Sequence, residues 1–219
     1  MSTTERPLRR DAERNRMRIL EAAAELFTER GLDVTLNDIA HHAGVGVGTV
    51  YRRFPDKEQL IDALFEERLG QLVELADLAQ RDPDPMSGLR GFLERALELQ
   101  AADRGLKELL LATSRGREQI GRLRGAIVPR VGEVVERARA AGMLRPDIAS
   151  TDMPIVQLMV GAVIDCCRDL EPELWRRYLA IVLDGMTADP ADREPLAVPS
   201  VTHDQLDAVM AAWRPPRRS

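Results

Sequence analysis

Apolar positions recur at helical spacing along nearly the whole chain, and a few punctuating residues cut the pattern into elements. Ile19, Leu20, Ala23, Ala24, Leu26 and Phe27 form one face of a segment from Asp11 to Arg30. Arg14, Arg16, Arg18, Glu21, Glu25 and Glu29 lie largely off that face. Gly31 closes the segment. Thr35, with Asp38 three residues later, marks a helix start: the hydroxyl can cap a free backbone N–H, and the acid sits where the helix dipole favours it. Leu36, Ile39, Ala40 and Ala43 then give a short apolar face, which Gly44 ends. Val47, Val50, Tyr51 and Phe54 give a second short helix, from Val45 or Gly46 to Phe54. Pro55-Asp56-Lys57 breaks it and opens a long helix to about Arg81.

Beyond Asp82-Pro83-Asp84-Pro85 the pattern predicts helices from Met86 to Ala102, then a shorter one through Leu106, Leu109, Leu110 and Leu111, then one from Glu118 to Ala141. Pro129 should kink or split the last of these. Asp152 to Asp169 is apolar nearly all round, which predicts burial on more than one side. Pro172 to about Thr187 is amphipathic, and a small helix is expected from Asp204 to Trp213. The fold class is all-α. A flexible basic tail (1–10, with Arg6, Arg9 and Arg10) precedes a three-helix helix-turn-helix domain (11–56). A larger helical domain (57–189) and a C-terminal tail with a short helix (190–219) follow.

The order Ala40, Gly44, Val50 carries the first functional inference. Two helices that cross closely need a small residue at the crossing, a turn residue that accepts a left-handed backbone, and an apolar plug from the second helix. Ala40, Gly44 and Val50 meet those needs at the spacing of a helix-turn-helix, which presents its second helix to the DNA major groove.

Composition narrows the picture. The 219 residues are 44% hydrophobic but only 4% aromatic, which favours aliphatic helix packing over a β-sandwich. Net charge is −5, so the chain as a whole is not a basic nucleic-acid binder. Residues 1–57 hold ten Lys/Arg against nine Asp/Glu (+1), and the remainder twenty-one against twenty-seven (−6), so attraction for phosphate concentrates at the N-terminal end. No apolar run reaches the roughly 18–20 residues that cross a bilayer, and the N-terminus lacks a signal-peptide core. A cytoplasmic protein without membrane association is expected. No nucleophile–base pair, phosphate loop or metal-ligand spacing points to an enzyme or a cofactor.

The run from Gly44 through Tyr51-Arg52-Arg53-Phe54 to Lys57-Glu58-Gln59-Leu60 closely resembles the DNA-binding domain of TetR-family repressors, as do Leu26-Phe27 and Arg30-Gly31. Ala101-Ala102-Asp103-Arg104-Gly105-Leu106 is similar to the SbtR-like C-terminal class. The resemblance implies a homodimer on a double-stranded, inverted-repeat operator, with the last two major helices pairing across a four-helix bundle. It further implies release by a small-molecule effector, and that Thr35, Tyr51 and Lys57 hold the DNA backbone. Control by a protein partner or by redox is the alternative.

Within the second short helix, Val47, Gly48 and Thr49 lead into the groove, small enough for close approach. Tyr51, Arg52 and Lys57 are candidate phosphate contacts, and Arg52 can also read a base. Arg53 is as readily a solvated charge. His41 and His42 are adjacent on a helix, do not converge, and read as surface residues. Cys166 and Cys167 in an apolar helix read as core packing, with a redox pair as the competing view. Asp165 in the same helix needs a partner, a water-filled cavity or a ligand. Gln100, Thr113, Arg115 and Arg168 are the candidate lining of an effector pocket around it.

Overall fold

The computed structural model describes residues 5–30, 33–102, 114–187 and 195–212. They form helices α1 (Glu5–Arg30), α2 (Leu36–His42), α3 (Val47–Arg53), α4 (Lys57–Arg81), α5 (Pro85–Ala102), α6 (Ser114–Ala140), α7 (Asp152–Cys167), α8 (Leu174–Met186) and α9 (His203–Ala212). Among the described residues there is no strand; Leu144 and Thr187 form one isolated antiparallel bridge. The expected helix at Leu106–Leu111, Thr113, and Trp213 lie outside the described residues.

Two boundaries differ from expectation. α1 starts at Glu5 and not at Asp11, so the backbone of residues 5–10 is helical. Pro7 permits this because it stands in the first turn, where no preceding carbonyl awaits an N–H. α6 runs from Ser114 through Pro129 to Ala140 as one helix, so of the two outcomes expected at the proline a split does not occur. Its apolar residues on both sides of the proline, Ile127 and then Val131, Val134 and Val135, share one core, and that packing outweighs one missing backbone bond.

The chain forms two compact units. The first holds the described residues up to Gly70, together with Ala102 and the start of α6 as far as Gln119. Its core includes Ile19, Leu20, Leu26, Phe27, Ile39, Val50, Phe54, Leu60, Leu64 and Phe65, all buried. The division between units therefore falls at Gly70, inside α4, and not at Lys57 as the sequence suggests. Leu60, Leu64 and Phe65 are buried with the N-terminal helices. Gln119, itself buried, donates to the Asp62 carboxylate at 2.5 Å.

The second unit has its own core. Ala76 and Ala79 of α4, Leu89, Phe92, Leu93 and Leu97 of α5, Val134, Val135 and Ala138 of α6, Val156, Val160 and Ile164 of α7, and Trp175, Leu179 and Leu183 of α8 all join it. Gly88 allows α5 to approach the end of α4: a Cβ there would lie 2.6 Å from the Ala79 carbonyl oxygen. The end of α4 is also tied to α6. Arg130 Nε donates to Asp77 at 2.9 Å, and Arg137 donates to the carbonyls of Gln80 and Asp82, the latter at 2.7 Å, closing the open end of the helix. The stretch after residue 194 is anchored where the Leu196 N–H donates to Asp147 at 2.8 Å. Arg145 grips the same carboxylate at 2.9 and 2.7 Å. The Arg145 hydrogen bonds hold Asp147 at a pKa of about 2, below the ordinary 3.8, and the Leu196 amide assists.

Candidate nucleic-acid interface

α2 begins with a reciprocal cap. The Thr35 hydroxyl accepts from the Asp38 N–H at 3.2 Å, and the Asp38 carboxylate accepts from the Thr35 N–H at 2.9 Å and its hydroxyl at 2.5 Å. These bonds, the hydroxyl bond first, hold the Asp38 carboxyl below its ordinary range. Ala40 and Val50 are both fully buried, and Gly44 has φ +63°, the left-handed backbone that favours glycine. The Val45 N–H donates to the Ala40 carbonyl at 3.0 Å across the turn. The crossing read from the sequence is thus present, with small residue, turn and plug in their expected places.

α3 is two residues shorter at its start and one at its end than its widest expected span, Val45 to Phe54. Gly46 caps it without a side chain, and Phe54 follows it, buried. Outward from Val50, the helix presents exposed Gly48, Tyr51, Arg52 and Arg53, with Val47 and Thr49 half-exposed. A Cβ on Gly48 would meet nothing within 4 Å, so the chain's own packing does not require a glycine there. Arg52 Nε donates to the Gly48 carbonyl at 3.2 Å, which lays the guanidinium along the helix surface. Arg53 lies 3.9 Å from Glu13 of α1, a contact that fits its reading as a surface charge.

Lys57 sits 5.5 Å from the centre of the Phe27 ring. Burial lowers its pKa, and Asp33 partly opposes that shift. The ammonium therefore stands against an aromatic face, at a fixed place beside the start of α4. Asp56 caps that start, accepting from the Gln59 N–H at 2.8 Å and from the Gln59 amide at 2.9 Å.

Periodicity gave no sign of the contacts that brace this unit from α1. Arg18 Nη2 donates to the Ala43 carbonyl at 2.7 Å. His42 Nε2 lies 2.6 Å from the Glu25 carboxylate, so the exposed histidine pair has one member engaged. Arg16 reaches Glu67 of α4 at 3.2 Å. Each joins residues 17 to 51 positions apart. Only an unmatched charge at the margin of the apolar stripe could have hinted at them.

In the second unit, Gly161, Asp165 and Arg168 follow one another at spacings of four and three, so they share one side. That side meets the end of α5. The Gln100 amide lies so close to α7 that a Cβ on Gly161 would come within 2.3 Å of its Nε2. Arg168 donates to the Ala101 carbonyl at 3.2 Å, as a helix-end cap. Asp165 is half-buried. Gln100, Asp165 and Arg168 are therefore gathered in one place. Thr113 and the Arg115 side chain lie outside what is described.

The cysteines correct an expectation. Cys166 is exposed and Cys167 half-buried, so neither packs in the core. The helix faces its core with Met153, Val156, Val160 and Ile164, and Cys166 falls on the opposite side. The two sulfurs are 3.3 Å apart. That contact, with burial second, raises the Cys167 thiol above its ordinary range and disfavours the reactive thiolate. No group of three or more His, Cys, Asp or Glu side chains suited to a metal occurs among the described residues. No helix among them is long and apolar enough to cross a membrane.

An exposed short helix behind a braced turn defines the class, a helix-turn-helix transcriptional regulator, and the comparisons refine it. Residues 19–64 match the model of bacterial regulatory proteins of the tetR family, and residues 84–188 match the SbtR-like transcriptional regulator C-terminal domain. The structure is similar to a TetR transcription regulatory protein from Mycobacterium vanbaalenii, at 31% identity and TM-score 0.65, over 83% of this chain and 99% of that one. It is similar to a TetR transcriptional regulator from Streptomyces coelicolor, at 32% identity and TM-score 0.65, over 80% and 99%. SmeT, the repressor of the Stenotrophomonas maltophilia multidrug efflux pump SmeDEF, aligns at 25% identity and TM-score 0.59, over 83% and 96%. The chain belongs to the TetR family of transcriptional regulators. An HTH-type transcriptional regulator of Staphylococcus aureus is 48% identical over 54 residues, which span 24% of this chain and only 29% of that relative.

Proposed function

We propose that the protein is a homodimeric, cytoplasmic repressor that holds an inverted-repeat operator and releases it when a small molecule binds the second unit. The observation that carries this reading is the outward face of α3. Val47, Gly48 and Thr49 lead into a major groove, and Arg52 reads a base or meets a phosphate. Tyr51 and Lys57 contact the phosphates on either side. Thr35 adds a backbone contact through the capped start of α2. Two such helices, separated by one helical turn of DNA (about 34 Å), would read a two-fold symmetric site.

The second copy has a surface to meet. On α7, Met159, Ala162 and Cys166 are exposed and Ile155 is half-buried, at intervals of four, three and four. On α8, Leu174, Tyr178, Ile181 and Gly185 repeat the same intervals, and all but Leu174 are exposed. Two adjacent helices with outward apolar stripes at this spacing suit a four-helix bundle across a two-fold axis. The near-complete apolarity of α7 then reflects one face for its own core and one for a partner.

Gln100, Asp165 and Arg168 support an effector site at the meeting of α5 and α7. A ligand there need supply only ~1–3 kcal/mol of coupling to favour a dimer whose recognition helices are wrongly spaced. Selection of bound genomic DNA, followed by a screen for compounds that release it, tests the proposal. Recovery of no two-fold symmetric site would sink the dimeric-repressor reading.

A further inference from the structure

α9 lies beyond residue 188, where the match to the C-terminal family model ends, and the proposed function leaves it without a role. It carries Asp204 and Asp207, and two adjacent residues dock it. Leu206 is 2% exposed, and the Asp207 carboxylate lies 3.0 Å from Nη1 of Arg124 on α6. Arg124 is unusually placed. Its Nε and Nη1 are shielded from solvent, and neither has a hydrogen-bond acceptor among the described residues. Asp207 supplies charge at short range without the alignment of a hydrogen bond. One turn further along α6, Ile127 and Val128 are half-buried. A guanidinium with two shielded N–H groups that its neighbouring carboxylate does not satisfy can take a better-aligned anion beside an apolar wall. The carboxylate now nearest to it is 68% exposed and so easily displaced.

We propose that Arg124 is the anion-recognising residue of an effector site for amphipathic anions, and that Leu206 and Asp207 occupy it as an internal stand-in. An apolar side chain next to a carboxylate reproduces the two features such a ligand would have. A ligand with a better-aligned anionic group takes Asp207's place on Arg124 and releases α9. This inference rests on the reading of the protein as ligand-responsive, and it names a site other than the one around Gln100, Asp165 and Arg168, with the chemical class of its ligand.

Fluorescence titration of the full chain without DNA tests it, using anilinonaphthalene sulfonate as an anionic amphipathic probe and N-phenylnaphthylamine as its neutral counterpart. Asp207→Asn removes the competitor from an exposed position and is expected to tighten the sulfonate about fivefold, leaving the neutral probe unchanged. Arg124→Gln is expected to weaken the sulfonate about tenfold and to abolish the effect of Asp207→Asn in the double variant. Hydrogen exchange across 203–212 is expected to quicken when the sulfonate saturates. Equal sulfonate affinity in the parent and in Asp207→Asn overturns the proposal, and so does a tightening that survives Arg124→Gln, or unchanged exchange in α9. The Asp207→Asn comparison stands alone should Arg124→Gln not fold. Because none of these readings involves DNA, a missing operator response would count against the regulatory function, and missing charge selectivity against the site.

Discussion

Arg18 donates from Nη2 to the Ala43 carbonyl at 2.7 Å, tying the first helix to the residue before the turn that aims the recognition helix. The same guanidinium closes the space beside Gly44, where a Cβ would lie 3.1 Å from it. Arg18→Met keeps the aliphatic stem and removes the bond, and should cost about 1 kcal/mol. Gly44→Ala adds a left-handed penalty of roughly 1–2 kcal/mol. Thermal denaturation checks both. Operator affinity should fall more than stability does, because each change loosens the turn and leaves the remaining core intact.

Tyr51 and Lys57 should separate in a salt series. Tyr51→Phe removes a neutral donor and should weaken operator binding without altering its dependence on salt. Lys57→Met removes a charge and should lower the slope of log K against log salt by about one. Anisotropy titrations at several ionic strengths measure both. An unchanged slope for Lys57→Met would mean that the ammonium held over Phe27 stays there in the complex.

The outward stripes of α7 and α8 should control assembly. Met159→Lys and Ile181→Glu each place a charge in an apolar seam and should shift sedimentation from dimer to monomer with little loss of helix content. Operator binding should fall together with dimerisation. A dimer that tolerates both changes would have its interface elsewhere.

Two glycines should respond differently to alanine. At Gly88 the new methyl meets the Ala79 backbone oxygen, which cannot move without α4, and a loss of about 1–3 kcal/mol is expected. At Gly161 it meets only the end of the Gln100 side chain, which can swing away, so the net change in stability should be under about 1 kcal/mol once helix propensity is counted. Melting temperatures separate the two. The Gln100 amide should change its NMR environment in Gly161→Ala alone.

Asp147 should leave an acid signature. Its folded pKa of about 2 lies below the ordinary 3.8, so its stabilising effect is fully present above about pH 4 and is lost as pH falls through 2. The melting-temperature difference between the parent and Asp147→Asn should therefore be constant near pH 6 and shrink below about pH 4. A difference that persists at the lowest pH would mean the carboxylate is not the anchor for Arg145 and Leu196.

The helix-turn-helix was legible because its determinants are local. Thr35 to Asp38, and Ala40 through Gly44 to Val50, lie within a few turns of one another, and each residue type has one geometric use there. The braces were not legible. Arg18 to Ala43 and Arg16 to Glu67 join distant positions, and arginine on a helix margin is ordinary. α7 was ambiguous for a different reason: apolar content records that water is excluded, and is silent on whether the same chain or another excludes it. The exposed Cys166 follows from that ambiguity. Gln100, Asp165 and Arg168 were named for their chemistry, and the folding of α5 against α7 is what brings them together.

The seam at Gly70 bears on what can be called a domain in this chain. No loop marks it: α4 runs through without a break, and α6 begins in one unit and ends in the other. A fragment that stops at residue 56, where the helix-turn-helix ends on paper, would lack Leu60, Leu64 and Phe65 from its own interior. A cut placed by the sequence motif alone would therefore divide the interior of the first unit.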